Sequence, residues 1–275
     1  MALVVACAML LPHPTRAAET VETTPEDPTR FNPFSRIGAS IVRSFWGANL
    51  ALNLGGIGAT PLLVATGVDT KVHNFWVDHQ GFSPYTVPGV VGGYFAPLLL
   101  GTGLAGYAVF ADSPRTSLAA NAVLQSLLLS FTYQAVLKTV TGRKAPESVH
   151  YDDNVASRQF QFGFLRNGID YGWPSGLLLT NTAAFVSLAY VYRDSWLLRI
   201  AGAATIGYLF ISAPAHEGAK LCWFSDAVAG LTMGVAIGRG VGSSLTGSGD
   251  GLLDRIALSP MASRTGKGIV ATLSF

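Results

Sequence analysis

Six apolar segments dominate the chain, at about Trp46–Thr66, Pro88–Phe110, Thr116–Thr141, Trp173–Tyr192, Ser195–Pro214 and Asp226–Gly242. Most approach the ~20 residues that a helix needs to cross the hydrocarbon core of a bilayer. In lipid, only helices and closed barrels pair all their backbone polar groups. These runs are too long for the ~10-residue alternating strands of a barrel. The expectation is therefore an all-α fold, a six-helix transmembrane bundle over residues 46–242. Charge content agrees: 12% of residues are charged and 49% are hydrophobic, whereas a soluble domain carries roughly 25% charged residues. The net charge of +2, with no basic run interleaved with aromatics, argues against nucleic acid as a partner.

Both ends of the chain differ from this middle. Residues 1–20 read as a signal-like leader, with an apolar run too short to span and small residues at Ala17 and Ala18 suited to cleavage. Residues 21–45 form a polar tether, and residues 243–275 a Gly/Ser linker and tail. The partial alternation of Gly268–Phe275 suits a strand. Of the two cysteines, Cys7 lies in the leader, so no disulfide framework is expected. Arg and Lys concentrate on the side of the N-terminal stretch and tail, which places that side in the cytoplasm. A cleaved leader would place it outside. The loop bias carries more weight, because the leader lacks a charged start.

Three polar clusters interrupt the apolar pattern. Lys138 to Pro146 closes the third segment and includes Arg143 and Lys144. Trp173, Pro174, Ser175 and Gly176 open the fourth. His216 to Asp226 leads into the sixth and includes Cys222. With alternating spans, all three fall on one side of the membrane. Their chemistry suits an anion: Lys138, Arg143 and Lys144 bring positive charge, while Ser175 and Gly176 bring a hydroxyl and the free N–H groups of a helix start. Ionisable residues at the edge of a span are costly and usually functional. The plainer reading of Lys138 is a lysine that snorkels to the interface. In the sixth segment, Gly230, Gly234 and Gly238 repeat every fourth residue and suit close helix packing.

The order and spacing of Lys138, Pro146, Pro174, Ser175, Gly176 and Asp226, with the Asp226–Gly230 continuation, resemble the type 2 phosphatidic acid phosphatase family over residues 46–242. That family carries K-x6-R-P, P-S-G-H and S-R-x5-H-x3-D on a six-helix core. The resemblance implies a phosphate site built from the lysine, the arginines and the serine–glycine turn. It also implies a histidine nucleophile oriented by the aspartate and a histidine that protonates the leaving group. This chain departs from the pattern at the reactive positions. Cys222 stands at the nucleophile position, Leu177 at the general acid, Ala145 at the first arginine, and Ala215 and His216 at the serine–arginine pair.

Leucine donates no proton, so the family mechanism does not run unchanged. Cysteine attacks phosphorus only when its pKa is lowered, and otherwise it is an inert small residue at a helix entry. Cys222, Asp226 and His216 remain the candidate catalytic residues. The plainer reading of His216 is a hydrogen-bonded interfacial residue. The resemblance implies a membrane protein, in the bacterial inner membrane with its site facing the periplasm. It would be a degenerate enzyme that binds a lipid phosphate or polyprenyl pyrophosphate and acts as a scaffold or partner of another protein. An active divergent phosphatase using Cys222, and a soluble periplasmic acid phosphatase relative, are the alternatives. No cofactor or metal is expected. The long loop Glu147–Gly172 contains His150, Asp152, Asp153 and Asp170, and reads as a solvated loop rather than a metal site.

Overall fold

The computed structural model describes residues 30–111, 113–166, 172–248, 256–263 and 266–273, the last two segments as backbone. The leader, the first part of the tether and Asp170 lie outside the described residues. Eight α-helices occur among those described: α1 Ile37–Phe45, α2 Ala48–Ala65, α3 Val68–Asp78, α4 Val87–Ala111, α5 Pro114–Thr141, α6 Gly176–Val191, α7 Trp196–Ala215 and α8 Phe224–Thr246. A 3-10 turn, Gln80–Thr86, joins α3 to α4. In the tail, β1 Ile256–Ser263 and β2 Gly266–Leu273 pair antiparallel, with Ile256 opposite Leu273 and Ser263 opposite Gly266.

Each of the six apolar segments became a helix, but three meet the requirements of a span. The stretches Ala48–Ala65, Gln80–Phe110 and Trp196–Ala215 are long and apolar enough to cross a membrane. The helix α6 is shorter, and α5 and α8 are long enough but less apolar. The physical reason is position. Helices α5, α6 and α8 make the interior, where polar and small side chains pack against neighbouring helices alongside the apolar core. Buried polar residues include Asn121, Gln125, Ser126 and Ser130 on α5 and Asn181 and Thr182 on α6. By contrast, α2, α4 and α7 leave large apolar side chains exposed, among them Leu62, Leu99, Phe110 and Leu197.

The glycine row of α8 is what lets the centre close. A Cβ on Gly230, Gly234 or Gly238 would stand 2.4, 2.7 or 2.6 Å from the backbone oxygens of Ser175, Leu179 and Ala183. All three oxygens belong to α6 or its cap. Backbone cannot swing aside as a side chain can, so these positions admit only glycine at this helix separation. Apolar residues of α5, α6 and α8, including Val123, Leu179, Met233 and Ile237, fill the core around this contact.

At the end of the bundle reached by the last residues of α8, α1 is pinned by side-chain hydrogen bonds. Ser40 Oγ donates to Gln125 Oε1 at 2.7 Å, and Arg43 Nη1 donates to the Ser243 carbonyl at 2.9 Å. The opposite end gathers the end of α5, the start of α6, the start of α8, the short helix α3 and the loop from Gly142 to Trp173. There α5 stops at Gly142, which has φ 48° and whose N–H bonds the Lys138 carbonyl. A Cβ at Gly142 would also lie 2.7 Å from the Gln161 carbonyl oxygen.

Candidate functional site

The three polar clusters divide into two neighbouring constellations at this end. The first is a buried ion network centred on Arg143, which follows α5 directly and is fully buried. Its Nη2 donates to Asp69 Oδ2 at 2.7 Å and to the Ser157 carbonyl at 2.7 Å. Its Nη1 donates to Ser225 Oγ at 2.7 Å and forms a short ion pair with Asp226 Oδ1. Its Nε donates to the Ser157 carbonyl at 3.2 Å. The rings of Phe160 and Trp223 lie 4.9 and 5.7 Å from the guanidinium carbon, close enough for cation–π attraction. Each of the five N–H bonds of the guanidinium thus has an acceptor.

The carboxylates are equally occupied. Asp69 Oδ1 accepts from the Ser225 N–H at 2.7 Å, and its Oδ2 from Ser225 Oγ at 2.6 Å. Asp226, in the first turn of α8, accepts from the Trp223 N–H at 2.9 Å through Oδ2. This is a helix-capping role, satisfying a donor that the first turn leaves free. The network therefore ties α3, the Gly142–Trp173 loop and the start of α8 together. It corrects the expectation for Arg143, which has no N–H left for a phosphate. Asp226 lies near Cys222, but its oxygens are taken up by capping its helix and neutralising Arg143.

The second constellation is a cavity of about 290 Å3 lined by Lys138, Ser175, Gly176, Leu177 and Cys222, together with Gln134, Thr180, Tyr94, Phe131 and Leu221. Lys138 extends from the last turn of α5. Ser175 is the N-cap residue of α6, yet its side chain makes no capping bond to that helix. It shares a hydrogen bond with Cys222 instead. The wall of this cavity depends on Gly176, because a Cβ there would meet Gln134 Oε1 at 1.6 Å. The cavity thus combines one cation, a hydroxyl, a side-chain amide and a helix N-terminus, ringed by Tyr94, Phe131, Leu177 and Leu221. Such a set can hold an anionic group attached to an apolar body.

Cys222 is free and 7% exposed. Burial pushes its thiol well above the usual range, and the nearby Asp226 carboxylate pushes in the same direction. The bond to Ser175 and the charge of Lys138 oppose these without overcoming them. The thiolate is the reactive form, so this environment holds the sulfur in its unreactive form.

The remaining candidates lie apart. His216 shares a 2.8 Å hydrogen bond between Nδ1 and Thr86 Oγ1 and does not line the cavity. There it fastens the end of α7 to the 3-10 turn. Lys144 is half-exposed and pairs with Glu147 at 3.0 Å, while its carbonyl accepts from Trp223 Nε1 at 3.0 Å. It too is outside the cavity. In the long loop, His150 Nε2 is 2.8 Å from Asp78 Oδ1, and Asp153 Oδ1 accepts from the Val155 N–H. Among the described residues, no three of His, Cys, Asp and Glu gather as metal ligands.

Two kinds of residue escaped the sequence reading. Gln134 lies four residues before Lys138 and so on the same face of α5, a spacing that was visible. Asp69 sits in a short helix between two apolar segments with no motif around it, so nothing marked it as the partner of a residue 74 positions away. Comparison with family models, with curated proteins and with solved structures finds no match for this chain.

Proposed function

We propose that the chain is an integral membrane protein with a six-helix core of the phosphatidic acid phosphatase type. Its cavity binds a lipid phosphate or pyrophosphate without carrying out the histidine-based reaction of that family. One observation carries this reading. Lys138, Ser175 and Gly176 line one cavity with Leu177 and Cys222, the two positions where the resemblance calls for histidines. An anion cradle is present, and the residues beside it neither donate a proton nor attack phosphorus. Leu177 has no ionisable group, and Cys222 is held as a thiol by burial. Electrostatic stabilisation at such a site supports binding. Turnover additionally requires a nucleophile and a proton donor.

The apolar rim suits a lipid-borne phosphate better than a free one. Tyr94 and Phe131 are 53% and 43% exposed on α4 and α5, where a lipid tail would leave the cavity. In this reading the protein acts by holding the lipid, as a scaffold or as a partner subunit.

The test combines binding and turnover on the detergent-solubilised full chain. Short-chain phosphatidic acid and a polyprenyl pyrophosphate are titrated, and phosphate release is followed in the same samples. Binding is expected to weaken roughly tenfold or more in Lys138→Ala, since a hydrogen bond to a charged group is worth ~1.5–3 kcal/mol. No phosphate release is expected. Unchanged binding in Lys138→Ala defeats the cradle. Phosphate release that disappears in Cys222→Ser establishes cysteine chemistry and a working enzyme instead.

A further inference from the structure

A second apolar hollow lies at the same end of the bundle and takes no part in the cavity described above. It is formed by α3, α7 and the start of α8, has a volume of about 340 Å3, and is lined by Phe75, Trp76, Phe210, Ile211 and Phe224, with Lys71 at its edge. Of these, Phe210 and Phe224 meet edge to face with centroids 5.5 Å apart. Phe75 and Ile211 stay 50% and 47% exposed on its walls. Lys71 is exposed and forms no ion pair with a described residue.

The position of this hollow says what can fill it. The helix α7 ends at Ala215, so at 1.5 Å per residue Ile211 lies about 6 Å from that end. If α7 crosses the bilayer, the hollow opens at the depth where acyl chains meet headgroups. Aromatic side chains favour that level, and here they form a continuous array. Centroids are 4.9 Å apart for Phe75 and Trp76, 5.4 Å for Trp76 and Phe82, and 5.9 Å for Phe82 and Tyr85. An occupant at this depth presents hydrocarbon to the rings and a phosphate to the lysine.

We propose that this hollow seats one acyl chain of an anionic phospholipid, with its phosphate on Lys71. The proposal rests on the reading of α7 as membrane-spanning and is independent of the Lys138 cavity. It also gives α3 a double hold. The same short helix buries Asp69, which grips Arg143, and His73, whose Nε2 bonds the Val149 carbonyl at 2.9 Å. The lipid closes over one face of α3 while the ion network holds the other. Lipid bound there stabilises the folded state by mass action and fixes the helix that carries Asp69.

The test uses native mass spectrometry on the full chain released from nanodiscs of mixed phosphatidylglycerol and phosphatidylcholine. Wild type is expected to keep one phosphatidylglycerol in preference to phosphatidylcholine. Lys71→Ala is expected to lower that preference about tenfold, because both headgroups carry the phosphate but in phosphatidylcholine the choline cation offsets its charge. Ile211→Trp, which fills the hollow from an exposed position, is expected to remove the retained lipid whatever its headgroup. Lys138→Ala is expected to leave it in place. The proposal is overturned if the preference is the same in Lys71→Ala, or if Lys138→Ala alone abolishes it, which would assign the lipid to the other cavity. Carbonate extraction separates the two levels of failure. Release of the protein from membranes defeats the spanning reading, whereas retention with an unaltered lipid preference defeats the hollow alone.

Discussion

The Arg143 network and the Lys138 cavity are neighbours at one end of the bundle, yet they are opposites. In the network every donor of the guanidinium has an acceptor, and no surface of Arg143 is left open. In the cavity Lys138, Ser175 and Gln134 face an open space beside a helix N-terminus. One arrangement is closed on itself and holds the structure together. The other has room for a ligand. Motif spacing brings charged residues to one end of a bundle without saying which of them the fold encloses. For Arg143 that is decided by residues elsewhere in the chain, Asp69 and the Ser157 carbonyl.

The largest expected effect breaks the comparison directly. Arg143→Ala leaves Asp69 and Asp226 buried side by side without a counter-ion. Removing one partner of a buried pair typically costs ~3–5 kcal/mol. Lys138→Ala removes a residue whose cavity can admit solvent, and a loss within about 1 kcal/mol is expected. Thermal unfolding followed by size-exclusion chromatography compares the two variants. Equal losses would mean that the cavity lysine is structural too, and the distinction between the constellations would collapse. Arg143→Lys does not rescue the network, because an ammonium cannot reproduce the planar fork that reaches Asp69, Asp226 and Ser157 together.

A smaller effect concerns the residue that belongs to the cavity but borders the network. Cys222 loses its charged form to burial and to Asp226. Maleimide labelling at pH 7–8 is expected to be much slower than for an exposed cysteine introduced at Lys220, which lies on the surface of the same turn. Cys222→Ala removes a small buried group and is expected to cost ~1 kcal/mol. Fast labelling of Cys222 would show a thiolate and would revive the nucleophilic alternative.

Much of the helical framework was legible in the sequence. Apolar runs of this length mark helices because the only other way to pair the backbone in lipid, a closed barrel, uses much shorter strands. The Gly230, Gly234 and Gly238 row marked a close helix contact, and the backbone oxygens of Ser175, Leu179 and Ala183 show that its partner is α6. The number of lipid-facing spans was less legible. The interior helices α5 and α8 carry Asn121, Gln125 and Arg239 where lipid would demand apolar groups, and their burial against neighbours explains why the chain tolerates them. Within the site, Lys138, Ser175, Gly176 and Cys222 came together as their spacing suggested. Arg143, Asp226 and His216 did not join them, because their partners Asp69 and Thr86 sit in α3 and the turn after it, a segment with no motif of its own.

The smallest expected effect lies on that overlooked segment and depends on pH. His73 is on α3, one turn from Asp69. Burial lowers its pKa below the ordinary value, and nearby His150 acts in the same direction, while hydrogen bonding to the Val149 carbonyl partly offsets them. Because a carbonyl can only accept, Nε2 carries the proton in the neutral ring. The unfolded chain, with a histidine pKa near ~6.5, therefore binds a proton before the folded chain does. Stability from this group is complete above ~pH 6.5 and falls as the pH drops toward the lowered folded pKa. Its slope cannot exceed about 1.4 kcal/mol per pH unit. In His73→Gln, which keeps a donor for Val149, the melting temperature is expected to fall less between pH 7.5 and 5.5 than in wild type. The wild-type drop should be accompanied by loosening of α3, read as faster amide exchange there than at the core residues of α6. If the two proteins lose stability in parallel, His73 is not a source of the acid sensitivity. The ion network would then hold α3 unaided by its neighbouring histidine.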